Sequence, residues 1–255
     1  MATVIDLSGQ VALVTGGVRG VGAGITRALL AAGAHVVVCA RHPGPVEDAE
    51  FIAADLRDTD AALGLVDTIA ERHGRLDLLV NNAGGAPPAD AATVSPRFHA
   101  GVVGLNLLAP LTLSQAANAV MQQQADGGSI VMVSSSSSAR PSPGTAAYGA
   151  AKAGLNSLAQ SLAVEWAPRV RVNAVLAGPV RTELSHLHYG DDDGIEAVGQ
   201  TIPLGRLAEP EDIGGACVFL ASGLARYVSG ALIAVHGGGE RPAFLAASNA
   251  EGKPT

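Results

Sequence analysis

Apolar residues along this chain follow two periods. Continuous apolar runs at 10–15 (QVALVT), 35–40, 50–55, 76–82, 129–134, 171–176 and 231–236 read as seven buried strands. Helical spacing fills 58–74, 97–124, 145–167 and 210–222, and one more apolar helix follows the first strand directly. Unbroken apolar strands separated by helices need cover on both faces. The pattern therefore predicts an α/β fold, a doubly wound seven-stranded parallel sheet with helices on both faces. No linker divides the chain, so one domain is expected over 1–255, with a core at 6–238 and a C-terminal tail at 239–255.

Composition sharpens this picture. With 255 residues, 48% of them apolar, and a mean hydropathy of +0.30, the chain can bury one large core. A net charge of −7 and a pI near 5.4 argue against a nucleic-acid surface. No uninterrupted apolar run of about 18 residues occurs, and MATVIDLSGQ lacks a basic stretch followed by an apolar one, so a soluble, cytoplasmic protein without membrane contact is expected. Cys39 and Cys217 are expected to be buried free thiols, and no metal site is expected.

Two constellations carry chemistry. Between the first strand and its helix, Thr15-Gly16-x-x-x-Gly20-x-Gly22 places glycines where backbone turns sharply and approaches an anion, with a helix N-terminus facing it; this is a Rossmann-type phosphate cradle. In such sheets ligands sit beyond the carboxyl ends of the strands. The second constellation is Tyr148 with Lys152. The chain has only two lysines against fourteen arginines, and one stands four residues after a tyrosine on a predicted helix. Positions i and i+4 share a helix face, and a nearby cation favours the phenolate, so Tyr148 is expected to be acidified into a proton donor and acceptor.

TGGVRGVG at 15–22, NNAG at 81–84, Asn106, Ser135 thirteen residues before Tyr148, YGAAK at 148–152 and GPVRT at 178–182 stand in the order found in the short-chain dehydrogenase/reductase family. The chain resembles its single-domain branch, including 3-oxoacyl-acyl-carrier-protein reductase-like members, from about residue 6 to 238. The resemblance implies a catalytic set of Asn106, Ser135, Tyr148 and Lys152. Ser135 would hold the substrate oxygen, Lys152 the nicotinamide ribose, and Asn106 a water leading from the lysine to solvent. It also implies dinucleotide contacts from Gly16, Arg19, Gly20, Val21 and Gly22, from Asp55 and Leu56 at the adenine, from Asn82, Ala83 and Gly84 at its ribose, and from Gly178, Val180 and Thr182 at the carboxamide. Where NAD enzymes of this fold end the second strand on an acidic residue, this chain has Cys39-Ala40-Arg41, with no carboxylate until Glu47. Arg41 and Arg19 thus point to NADP(H), with NAD(H) as the alternative.

The resemblance further implies a homotetramer joined through helices 97–124 and 145–167. Two positions depart from it: Ala177 stands where a proline is usual, and His236 where an aspartate precedes paired glycines. His236 is expected to concern a subunit contact. Residues 183–203 are expected to form a mobile lid, with Leu184, Leu187, Tyr189 and Ile195 facing substrate, and His186, His188 and Asp191 to Asp193 solvated rather than metal-binding. Gly85 to Pro96 and Ser136 to Pro143 would form the other walls, and Phe244 and Leu245 would dock on a neighbour. The expected function is hydride transfer between NADP(H) and a ketone or secondary alcohol. A 3-oxoacyl substrate, either direction of reaction, and a non-catalytic dinucleotide-binding regulator all stay open.

Overall fold

The computed structural model describes residues 5–46 and 48–247; Glu47, the side chain of Leu245 and the polar end 248–255 lie outside the described residues. Seven parallel strands, β1 (Val11–Thr15), β2 (His35–Ala40), β3 (Glu50–Ala53), β4 (Leu78–Asn81), β5 (Gly128–Ser135), β6 (Val170–Ala177) and β7 (Leu232–Val235), form one sheet in the order β3-β2-β1-β4-β5-β6-β7. The chain order reverses between β1 and β4. There the two connections leave in opposite directions and open a crevice at the carboxyl edge.

Both faces of the sheet are buried, as the unbroken apolar strands require. Helices α2 (Thr59–His73), α4 (Ala109–Met121) and α5 (Ala146–Glu165) pack Leu65, Ile69, Leu113, Met121, Leu155 and Leu162 against one face. On the other, α1 (Gly20–Ala31) and α8 (Pro210–Ala221) bring Ile25, Leu29, Ile213, Cys217 and Leu220 against Val14, Val36, Val80 and Val131. Both cysteines are free and buried.

The helix expected at 97–124 is interrupted. It runs as α3 (Pro96–Val103), a π turn at Gly104–Leu108, and α4. Pro96–Met121 is long and apolar enough by composition to cross a membrane, with an 18-residue window of mean hydropathy 1.3. Yet Leu113, Ala117 and Met121 lie in the core against the sheet, and the stretch carries a fully buried Asn106. Segment 183–203 is also more ordered than expected, forming α6 (His186–Tyr189) and α7 (Asp192–Thr201). The aspartate run has a local cause: the Asp191 carboxylate accepts from Gly194 N at 3.1 Å as the N-cap of α7, and Asp192 and Asp193 sit in its first turn, where negative charge complements the helix dipole.

Helices α1 and α8 meet through glycine. A methyl group at Gly24 would lie 2.3 Å from Pro210 Cβ, and one at Gly214 2.7 Å from Ala28 Cβ. Gly64 in α2 faces open space and is exposed. Gly24→Ala is therefore expected to cost about 1–3 kcal/mol by forcing the helices apart, and Gly64→Ala to stabilise by roughly 0.5–1 kcal/mol through helix propensity. Urea unfolding of the two variants checks both signs.

Candidate active site

One crevice of about 780 Å³ lies at the carboxyl edge. Its lining includes every expected site residue except Asn106, Leu187 and the buried Ile195. The turn after β1 shapes one side. Gly16 adopts φ 63°, and a methyl group on Gly22 would come 2.1 Å from Gly16 O, so neither position accepts a side chain without distortion. Thr15, itself buried, ties this turn to β4: its Oγ1 accepts from Asn82 N and Ala83 N, each at 2.9 Å, while Asn82 Nδ2 donates to Thr15 O at 2.8 Å. Helix α1 starts with Arg19 as an N-cap that makes no side-chain capping bond, and its first turn holds no acidic residue. Its leading N–H groups are thus free to bind an anion at the positive end of the helix.

The opposite wall comes from β5 and α5. Ser135 ends β5, Tyr148 and Lys152 lie one turn apart on α5, and all three line the crevice. Lys152 is 3% exposed and its Nζ donates to Val133 O at 2.7 Å. Burial alone pulls its pKa from 10.5 down to about 8. The ammonium stands 5.7 Å from the centre of the Tyr148 ring. Contrary to expectation, Tyr148 is not acidified: burial raises its pKa above 10.0, and the hydrogen bond from Ser135 opposes that only in part. The Lys152 ammonium is not among the causes of that shift; its hydrogen bond goes to the β5 backbone.

Asn106 is fully buried in the π turn behind this wall. Its Nδ2 donates to Val102 O at 2.9 Å, which takes up a carbonyl of the interrupted helix, and to Gly85 O at 3.0 Å; its Oδ1 accepts from Gly85 N at 2.9 Å. The asparagine thus clamps the loop after β4. A methyl group on Gly84 would come 2.5 Å from Asn106 Oδ1 and 3.4 Å from Lys152 Nζ, which places asparagine and lysine together where that side chain would stand.

At the far end of the crevice lie Arg19, Arg41, Asp55 and Leu56, joined by Arg57, which sequence reasoning passed over. Arg57 Nε donates to Asp55 Oδ1 at 2.9 Å, and the Arg57 pair, helped by the charge of Arg41, holds the Asp55 carboxyl down at about 2. A carboxylate two residues before an arginine at a strand end was the available signal.

The nicotinamide end of the expected site is bounded by the β6 loop. Parallel bridging with Ala208 flanks Val180 through Arg181 N to Ala208 O at 2.8 Å and Ala208 N to Pro179 O at 3.0 Å, and neither bond uses the N–H of Val180. Ala177 extends β6 in register with Val235. His236 packs directly against this loop, since a methyl group on Gly178 would lie 2.8 Å from His236 Cα and Cβ. Its departure from the family pattern therefore adjoins a loop that lines the crevice. Among the lid residues, Leu184, His188 and Tyr189 line the crevice, whereas Leu187 is 65% exposed and Ile195 belongs to the core.

The family model described as Enoyl-(Acyl carrier protein) reductase matches residues 16–240. The L-rhamnose 1-dehydrogenase (NAD(P)(+)) of Azotobacter vinelandii is 38% identical, with 89% of this chain and 94% of that protein covered. Among solved structures, the ligand-free aldohexose dehydrogenase of Thermoplasma acidophilum superposes with a TM-score of 0.89 at 27% identity, covering 99% of this chain and 100% of that one. A protein of Beutenbergia cavernae, provisionally assigned as an NAD(P) dependent gluconate 5-dehydrogenase and holding NADP at low occupancy, superposes with a TM-score of 0.86 at 38% identity, covering 92% and 98%.

The buried amine has a thermodynamic signature. Because the folded pKa of Lys152 lies below its ordinary value, the unfolded chain binds the extra proton between about pH 8 and 10.5, and stability contributed by this group rises with pH across that window. Lys152→Met is expected to stabilise the fold by up to roughly 3 kcal/mol near pH 7 and by only about 1 kcal/mol near pH 10. Denaturant titrations of the parent and variant at the two pH values measure the difference.

Proposed function

Since the chain belongs to the short-chain dehydrogenase/reductase family, we propose that it is an oxidoreductase moving a hydride between NADP(H) and a ketone or secondary alcohol. One observation carries this reading: a glycine turn fit for a pyrophosphate and the Ser135, Tyr148, Lys152 wall face each other across a single crevice. The crevice fits the dinucleotide. The uncapped start of α1 and the Gly16 to Gly22 turn would hold the pyrophosphate, Arg19 and Arg41 a 2′-phosphate, Asp55 and Leu56 the adenine, and Asn82, Ala83 and Gly84 its ribose. Gly178, Val180 and Thr182 would take the carboxamide. The NADP held by the Beutenbergia cavernae relative and the NAD(P) in the name of the rhamnose enzyme support a nicotinamide cofactor here.

When bound, the nicotinamide supplies or accepts the hydride. The chain's own residues handle the proton. Tyr148 would give its phenolic proton to the carbonyl oxygen during reduction and take one from the alcohol in reverse, while Ser135 donates to the same oxygen as charge builds on it. Burial favours the neutral, proton-bearing phenol, which is the form that donates to a carbonyl oxygen. Lys152 would hold the nicotinamide ribose, and Asn106 would anchor the route by which the proton is replaced. The rhamnose and aldohexose enzymes among the relatives favour a hydroxylated small molecule over a bulky acyl carrier. We also assign a homotetramer to the chain, through the outer faces of the π turn with α4 and of α5, where Leu108 and Val164 are exposed.

Tyr148→Phe is expected to lower turnover by at least about a hundredfold while dinucleotide binding changes by less than about twofold, read from NADPH consumption and from binding titration. Arg41→Ala is expected to weaken NADPH about tenfold, or about 1.4 kcal/mol, and to leave NADH nearly unchanged. A parent protein that prefers NADH refutes the NADP(H) assignment. No turnover with either cofactor across ketones, sugars and 3-oxoacyl thioesters would favour the regulator.

A further inference from the structure

We infer that the chain carries a second, separate site: His35, Glu50 and His73 form a two-histidine, one-carboxylate site for a divalent transition metal of the zinc class, at the sheet edge opposite the crevice. The fold assembles these residues from three elements. His35 opens β2 and Glu50 opens β3, where the register pairs Val37 with Glu50. Residues two apart on a strand share a face, so His35 and Glu50 project to the same side. That is the side covered by α2, whose Leu65 and Ile69 pack with Val37. Helix α2 ends at His73, which brings its ring onto the pair.

The geometry is that of a metal site as much as of an ion pair. Glu50 Oε2 lies 3.3 Å from His35 Nε2 and 2.9 Å from His73 Nε2, and the three residues each offer a ligand atom within 4.8 Å of the others. A tetrahedral ion with bonds of about 2.0–2.1 Å holds its ligand atoms about 3.3 Å apart, so small side-chain shifts would suffice to seat it. The two rings stand 4.5 Å apart at 44°. Two imidazole nitrogens that converge beside one carboxylate oxygen form a donor set that zinc takes. Arg72 Nη1 donates to the other carboxylate oxygen, Oε1, at 2.6 Å, which fixes the orientation of Glu50 and leaves Oε2 for the ion. The guanidinium charge opposes a cation, so affinity is expected in the micromolar range. Glu50 and His73 are largely shielded and His35 is half exposed, which leaves an approach for the ion and for a water in the fourth position.

Bound metal would pin the starts of β2 and β3 to the end of α2. Chelator-treated parent protein titrated with ZnCl2 should bind one ion per chain by calorimetry, and a hundredfold excess over Kd should raise Tm by about 5–10 °C. Co2+ in place of zinc should give the intense visible absorption of a four-coordinate ion. His35→Ala, which removes a half-exposed ring, and Glu50→Gln should each weaken binding by more than about tenfold, or about 1.4 kcal/mol. His186→Ala/His188→Ala should bind as the parent does, and oxidoreductase turnover should be unaffected by zinc at this site, since the crevice lies at the other edge. Failure to bind zinc at up to about 1 mM, or binding retained in His35→Ala or lost in the His186/His188 variant, overturns the site. The turnover readout rests on the proposed oxidoreductase function, whereas the zinc-binding, Tm and Co2+ readouts are independent of it.

Discussion

An ammonium group held out of water with only a backbone carbonyl for company is the constraint around which this crevice is arranged. Lys152 reaches from α5 to Val133 O, and no ion pair accompanies it there among the described residues; burial is the one cause that shifts its pKa. Such a group destabilises the fold, since charge is costly to desolvate. The arrangement survives because the two apolar layers on the sheet supply far more than it costs. The surrounding residues are fitted around it: Gly84 carries no side chain to strike Asn106 Oδ1, and Asn106 holds the adjoining loop in place from a break in its own helix.

That wall has value only if a ligand can lie against it, and the topology provides the space. At the reversal between β1 and β4 the connections diverge, while Thr15 and Asn82 stitch the two strand ends together so that the gap keeps its shape. The glycine turn and the β5 wall are therefore placed by the same sheet. An error in strand order would have separated them, and a shift in register would have turned Ser135 away from Tyr148.

The strands were legible in the sequence because a sheet buried on both faces writes itself as unbroken apolar runs, and all seven appear within a few residues of their expected bounds. The crevice lining was legible for a related reason, since glycines and polar residues at strand ends are conspicuous against that background. Depth was not. The i, i+4 spacing of Tyr148 and Lys152 shows proximity but says nothing about desolvation, and desolvation decides the sign at Tyr148. The π turn was hidden because its apolar period continues on either side, with only Asn106 to betray it. Asp191 to Asp193 looked like a solvated loop because charge runs usually are, although at a helix start the same residues cap. His236 and the His35, Glu50, His73 cluster depend on contacts between distant segments, which no local pattern records, whereas Arg57 pairs with Asp55 two residues away and was legible from that spacing.

The start of α1 treats its open backbone groups differently from the amino edge and from the carboxylate-capped starts of α2 and α8, and this separates binding from support. At the amino edge, side chains fill the unpaired donors: Asp77 Oδ2 accepts from Val11 N at 2.8 Å and Gln124 Oε1 from Leu76 N at 2.8 Å, while Arg75 holds Asp77 in turn. Asp77 answers a backbone N–H there, and histidine and arginine gather on the neighbouring Glu50 carboxylate through His35, Arg72 and His73. At the carboxyl edge the start of α1 has no side-chain cap and no acid in its first turn. Donors satisfied by the protein's own carboxylates at that edge would have no capacity left for a phosphate. The missing cap is thus the counterpart of the filled edge, and it is what leaves this end of the molecule able to hold an anionic cofactor.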